Sequence, residues 1–160
     1  MVDKTFFKRM RTTEEVEVWL ADMENALGRL MQSIPESLCE RLDYSLASLD
    51  ALETWLLSRY SNLKEAHNPE GIILLDAAGR YVGEVVRRRA DAEWYVELRK
   101  PDDAFLGIPV LRKAATNRQG NVYVDYAYPL SLVTASLDRR IGSFIRSIVE
   151  KYIGRIGTIE

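Results

Sequence analysis

Apolar side chains recur at helical spacing from Thr12 to Pro35, at Val16, Leu20, Met23, Leu27, Leu30 and Met31. Thr12 followed by Glu15 has the form of a capping box, and Pro35 ends the run, so one helix is expected between them. Glu14, Glu15, Glu17 and Asp22 fall in its first turns. The helix dipole favours negative charge there by ~0.3–1 kcal/mol each, which reads as helix stabilisation and not as a metal site. After the connector "ESLCERLDYSL", Ser48 as a cap and Leu49, Leu52, Trp55 and Leu56 predict a second helix. The stretch 61–71 reads as a loop, in which Asn68, Pro69 and Gly71 introduce a third helix over 70–89.

Beyond Arg89 the period changes to two. In "EWYVEL", Trp94, Val96 and Leu98 face one way while Tyr95, Glu97 and Arg99 face the other, as in a half-buried strand. "KPDD" turns the chain, and "FLGIPVL" (105–111) is expected as a second strand with Pro109 at an edge, at a bulge or outside it. "NRQGN" makes the next turn, and "NVYVDYAY" alternates again, with Val122, Val124 and Tyr126 on one face. Helical spacing returns from Pro129 to Ile153, through Leu132, Leu137, Ile141, Phe144, Ile145, Ile148, Val149 and Tyr152. Gly142 interrupts it, leaving one kinked helix or two. This order predicts an α+β fold with N-terminal helices, a short antiparallel three-stranded meander and a C-terminal helix packed on one sheet face. Trp19, Trp55 and Trp94 fall on apolar stripes and are expected in the core. A single domain is expected over 1–160, with 1–11 as its flexible end.

Composition narrows the function classes. The 160 residues are 47% hydrophobic and 29% charged, the balance of an ordinary globular chain. Twenty-two basic and 24 acidic residues leave a net charge of -2, so nucleic acid or an anionic membrane would have to be met by a local patch. Cys39, the single cysteine, has no partner for an intramolecular disulfide and suits a reducing cytoplasm as a small apolar side chain. The N-terminus lacks the continuous apolar region of a secretory signal, and no run reaches the ~18 apolar residues of a membrane span. A cytoplasmic protein without membrane attachment is therefore expected.

On the third helix, Asp76, Arg80, Glu84 and Arg88 follow at steps of four, with Arg87 three beyond Glu84. Such charges pair along a helix surface at ~0.2–0.5 kcal/mol per pair, which accounts for Glu84 without catalysis. An enzyme would use Glu84 as a general acid or base, yet the neighbouring arginines push its pKa away from neutrality. Gly79 and Gly83 sit mid-helix, outside any strand-to-helix phosphate turn, and imply close packing. Arg87, Arg88 and Arg89 end the helix, where positive charge complements the dipole. If Arg139 and Arg140 fold beside them, the five form a patch for nucleic acid or an anionic ligand. His67 is the only histidine and has no second His or Cys to share a metal, and no nucleophile-elbow, P-loop, Rossmann or zincin motif occurs. No metal or cofactor is expected.

The order "YVGEVVRRR", "EWYVEL", "FLGIPVL" and "YPLSLVTASLDRR", preceded by "SLDALETWL", resembles small bacterial proteins grouped as a domain of unknown function. The resemblance covers roughly residues 45 to 145 and leaves the first helix unmatched. It implies a glycine-bearing helix, a tryptophan strand, a short meander and a proline-led final helix, and it carries over no catalytic residue. Some proteins of this kind stand near toxin and immunity systems, which implies an interaction role of immunity or adaptor type. A non-enzymatic module that binds another protein is the expected function, through a sheet face or helix edge carrying Tyr95, Tyr123 and the arginines.

Overall fold

The computed structural model describes residues 6–156. Its described residues form eight helices and a three-stranded antiparallel sheet, the expected α+β class. Helix α1 (Thr13–Ala21) starts on the expected cap: the Thr12 hydroxyl accepts the Glu15 N–H at 3.1 Å, and Glu15 reaches back to the Arg11 N–H at 3.2 Å. The single helix expected up to Pro35 is instead two. Asp22, with ψ near 2°, breaks the chain before α2 (Met23–Ser33), and its carboxylate is held by Arg29 at 2.6 Å. The break lets Trp19 bury beside Leu130 and Ile108 while Leu27 and Leu30 enter the main core.

A short turn of helix, α3 (Glu36–Cys39), leads to α4 (Leu46–Arg59). Its cap is Ser45 and not the expected Ser48: the Ser45 hydroxyl accepts the Ser48 N–H at 3.1 Å. Ser48 is buried inside the first turn, where it takes a hydrogen bond from the Tyr81 hydroxyl at 2.7 Å. The expected loop at 61–71 contains the short α5 (Leu63–Ala66), after which Asn68 caps α6 (Pro69–Ala90) and Pro69 opens it. Helix α6 is the axis of the domain. All ten residues from Ala77 to Val86 are buried, so its middle is enclosed on every side.

The sheet has the order β1 (Glu93–Tyr95), β2 (Val110–Thr116), β3 (Val122–Ala127). Trp94 pairs with Leu111, and Lys113 with Asp125. Two expected strands change. β1 stops after three residues, and 105–111 is mostly turn, with Gly107 at φ 74° bonding to Glu97 O and Met10 N. β2 starts only after Pro109, which has no N–H to give a ladder. The C-terminal run resolves into α7 (Pro129–Arg139) and α8 (Phe144–Ile156), separated by Arg140 and Gly142 in left-handed conformations. Glu53 of α4, fully buried, accepts the N–H groups of Gly142, Phe144 and Ile145 and so fixes where α8 begins.

Of the segment expected to be flexible, 1–5 lie outside the described residues, and the rest packs. Phe6 is buried in the core, and the Arg9 guanidinium donates to the carbonyls of Leu106 at 2.6 Å and Ala104 at 3.2 Å. Trp19 is buried, whereas Trp55 and Trp94 are half-buried at the edge of the main core. Alternation turns Leu111, Ala115 and Ala127 toward the helices, where α8 packs beneath β2 and β3. The opposite face carries Glu93, Tyr95, Val110, Arg112, Ala114, Val122, Val124 and Tyr126.

Candidate interaction surface

The middle of the α6 charge ladder is not on the surface, although Arg87 and Arg88 at its end are exposed. Arg80 and Glu84 are both buried, each joined to a tryptophan brought in by another element. Arg80 lies over the Trp19 ring at 3.9 Å, donates to Trp19 O at 2.6 Å and to Asp76 at 2.8 Å, and Asp76 accepts the Trp19 indole N–H at 3.0 Å. One turn on, Glu84 accepts two hydrogen bonds from Arg87, at 2.8 and 3.0 Å, and the Trp94 indole N–H at 3.0 Å. The two indoles meet edge to face at 5.0 Å. The glycines between these charges let the neighbours in, as their spacing implied: a Cβ on Gly83 would lie 2.1 Å from Trp94, and one on Gly79 2.8 Å from Leu130. The ladder thus brackets α1 and the sheet onto the central helix.

Burial raises the Glu84 carboxyl, but hydrogen bonds from Arg87 and Trp94 and the charges of Arg87 and Arg88 outweigh it and hold the group below its ordinary 4.5. A carboxyl lowered in the folded state adds stability that is complete above its unfolded value and is lost as pH falls through the folded one. The stability gap between the native protein and Glu84→Gln, measured by urea unfolding, is therefore expected to narrow between about pH 7 and about pH 3. A gap that stays constant over this range would contradict the bracket.

The five arginines do not converge. Arg88 lies over the Tyr44 ring at 3.5 Å and Arg89 reaches Tyr44 O at 3.4 Å, just before α4 starts. Arg140 donates to Leu57 O at 2.8 Å and Tyr60 O at 3.0 Å, closing the other end of α4, and Arg139 sits near the Phe144 ring. A helix of 14 residues separates the two groups by roughly 20 Å. Arg87 is occupied by Glu84. The expected tyrosines also part company. Tyr95 lies on the outer sheet face, while Tyr123 alternates onto the helix-facing side at the hairpin end, opposite Ala115.

What the fold does present is the outer face itself. Val122 is 72% exposed and Val124 48%, on a strand whose far edge no other strand pairs. The hairpin closes with an Asn117 N–H to Asn121 O bond, and the Tyr126 N–H goes to the Asp125 side chain. The alternation of an antiparallel ladder then turns the backbone groups of Val122 and Val124 outward, away from β2. Beside them, the Arg112 guanidinium lies 3.7 Å over the Tyr95 ring and is held by Glu93 at 2.9 Å. The Tyr95 hydroxyl donates to Glu97 at 2.9 Å. Sequence reasoning grouped Val122, Val124 and Tyr126 correctly on one face but carried no sign of which face the helices cover.

Among the described residues no group of three or more His, Cys, Asp and Glu side chains is arranged to hold a metal, and no helix is long and apolar enough to cross a membrane. His67 packs against the Phe6 ring at 5.3 Å, and Cys39 lies half-buried with its thiol 3.0 Å from Met31 O. No protein-family model, curated protein or solved structure matches the chain.

Proposed function

We propose that the protein is a non-enzymatic interaction module that receives an extended segment of a partner protein along β3. The observation that carries this reading is a sheet whose outer face is open toward the hairpin and whose last strand keeps one edge unpaired among the described residues, with two exposed valines on it. Unpaired strand edges are templates for pairing, and native proteins usually blunt them with charge, proline or a covering element. On β3 the outward-facing side chains at Val122 and Val124 are apolar instead. Strand addition gives affinity through main-chain hydrogen bonds and specificity through alternate side chains. A nucleic-acid reading draws no support from arginines at opposite ends of α4, nor an enzyme reading from a Glu84 whose two oxygens are both engaged.

Val124→Pro tests the proposal. It deletes an N–H that faces away from β2, so the β2–β3 ladder survives while strand addition is blocked. Extended peptides selected against the native protein are expected to lose affinity at least about tenfold for this variant, read by calorimetry. Unchanged binding would remove β3 as the docking edge. A concentration-dependent dimer in sedimentation that Val124→Pro abolishes would assign the edge to a second copy and overturn the partner reading.

A further inference from the structure

Beyond the end of β3 nearest α7, the outer face closes into a cavity of about 240 Å³ lined by Tyr95, Phe105, Val110, Tyr126 and Tyr128, with the carboxylates of Glu97 and Asp103 and the ammonium of Lys100. That size is below the ~300–1,000 Å³ of sites for drug-sized ligands and suits one side chain or a small amine. Its rings are ordered by their own packing. Phe105 and Tyr128 stack with centroids 4.0 Å apart, and Tyr126 lies nearly parallel to Tyr128 at 6.4 Å. Its carboxylates are fixed from below: Glu97 accepts the Tyr95 hydroxyl and the Arg99 N–H, and Asp103 accepts the Phe105 N–H at 2.8 Å.

We infer that this cavity binds an organic cation, a guanidinium or alkylammonium group, and serves as the specificity pocket for a basic side chain of the segment that docks on β3. Ring faces attract cations within about 6 Å, and a carboxylate beside the ring supplies the countercharge. The same protein already uses that combination elsewhere: Arg80 lies over Trp19 and pairs with Asp76, Arg112 lies over Tyr95 and pairs with Glu93, and Arg155 lies over Tyr152 and pairs with Asp125. In the cavity the rings and carboxylates recur, and the lining cation is Lys100, 73% exposed and 4.0 Å from Glu97. A lysine so placed at the rim is readily displaced. The negative field reaches the rings: burial raises the Tyr128 hydroxyl, and Asp103 and Asp125 raise it further against the opposing charge of Arg155. Tyr126 belongs both to the cavity and to β3, so a segment lying along the strand edge runs directly to the pocket.

The pocket inference rests on the strand-addition reading for its source of ligand, but its test needs no partner. Nα-acetyl-arginine amide, Nα-acetyl-lysine amide and the neutral Nα-acetyl-norleucine amide are titrated into the full chain and followed by amide chemical shifts. Saturable shifts centred on Phe105, Tyr126 and Tyr128 are expected for the two cations and not for norleucine. Asp103→Asn keeps the acceptor for the Phe105 N–H and removes the charge, and it is expected to weaken binding about tenfold, as is Tyr128→Leu. Lys100→Ala is expected to tighten it. Equal shifts with norleucine, no saturation, or affinity indifferent to Asp103→Asn would overturn the pocket, and the Asp103→Asn arm decides even where Tyr128→Leu unfolds. Cation binding that persists in Val124→Pro, with peptide binding unaffected there as well, would sink the strand edge and leave the pocket standing. A basic and a norleucine-substituted selected peptide of equal affinity would detach the pocket from the docking segment.

Discussion

Glu53→Ala is expected to lower the unfolding free energy by about 3 kcal/mol or more, because it leaves buried backbone donors unpaired at about 1–3 kcal/mol each. Glu53 is fully buried on α4, and its carboxylate accepts N–H groups from Gly142 at 2.6 Å, Phe144 at 3.2 Å and Ile145 at 2.8 Å. These are donors at and just before the start of α8, and the positive end of that helix faces the carboxylate. Alanine leaves the donors in a site that water does not readily reach, at a cost of about 1–3 kcal/mol for each group that stays unsatisfied. Glu53→Gln keeps one acceptor oxygen but turns an NH₂ toward N–H donors, so it should fall between the two. Chemical unfolding measures the loss, and hydrogen exchange at the Ile145 amide should accelerate before the rest of the core. A cost below about 1 kcal/mol would show that the cap is dispensable.

Glu53 also shows what the sequence conceals. In "DALETWLL" it stands between Leu52 and Trp55 as any solvated helix carboxylate would, and its partners lie 89 to 92 residues away. Nothing local marks it. Features closed within a few residues were legible: the Thr12 cap, the Asn68-Pro69 start of α6 and the hairpin turn at Asn117 to Asn121. Where two local solutions compete, a distant group decides. Ser45 and Ser48 both suit a cap, and the Tyr81 hydroxyl, 33 residues on from Ser48, draws Ser48 inward.

The candidate surface divides in the same manner. Alternation in "NVYVDYAY" established which side chains share a face, since strand geometry alone determines that. Which face is covered depends on where α8 packs: Tyr152 and Arg155 reach Asp125, so Val124 and Tyr126, one position to either side, turn to the outer face. The arginine patch failed to form for a related reason. Arg140 reads as half of a basic pair, but two carbonyls at the end of α4 take its guanidinium. The apolar run 105–111 resembled a strand, whereas Gly107 at φ 74° and the Pro109 ring shape a turn that brings Phe105 to Tyr128. Phe105 and Tyr128 of the cavity were therefore legible as residue types and not as neighbours.

Gly83→Ala is expected to destabilise the protein by about 1–3 kcal/mol through overpacking, although alanine in a helix is worth ~1 kcal/mol more than glycine. The added Cβ would stand 2.1 Å from Cη2 and 2.2 Å from Cζ2 of Trp94, too close for any rotamer adjustment of the methyl itself. The indole must move. Moving it strains the hydrogen bond to Glu84, which seats β1 on α6, and the edge contact with Trp19, which ties β1 to α1. Trp94→Ala alone is expected to cost about 3 kcal/mol by leaving a cavity and an unfilled side of Glu84. In that background the main obstacle to Cβ is gone and only the flexible end of Leu111, whose Cδ2 would stand at 3.1 Å, has to give, so Gly83→Ala should change sign and stabilise by up to ~1 kcal/mol through helix propensity. A double-mutant cycle reads the difference directly, since residues in contact couple whereas independent ones add. Additive effects would mean that Gly83 is tolerated for its own backbone and not for the tryptophan. The reversal would show that the glycine on the central helix exists to admit the strand, and so sets the height at which the outer sheet face stands.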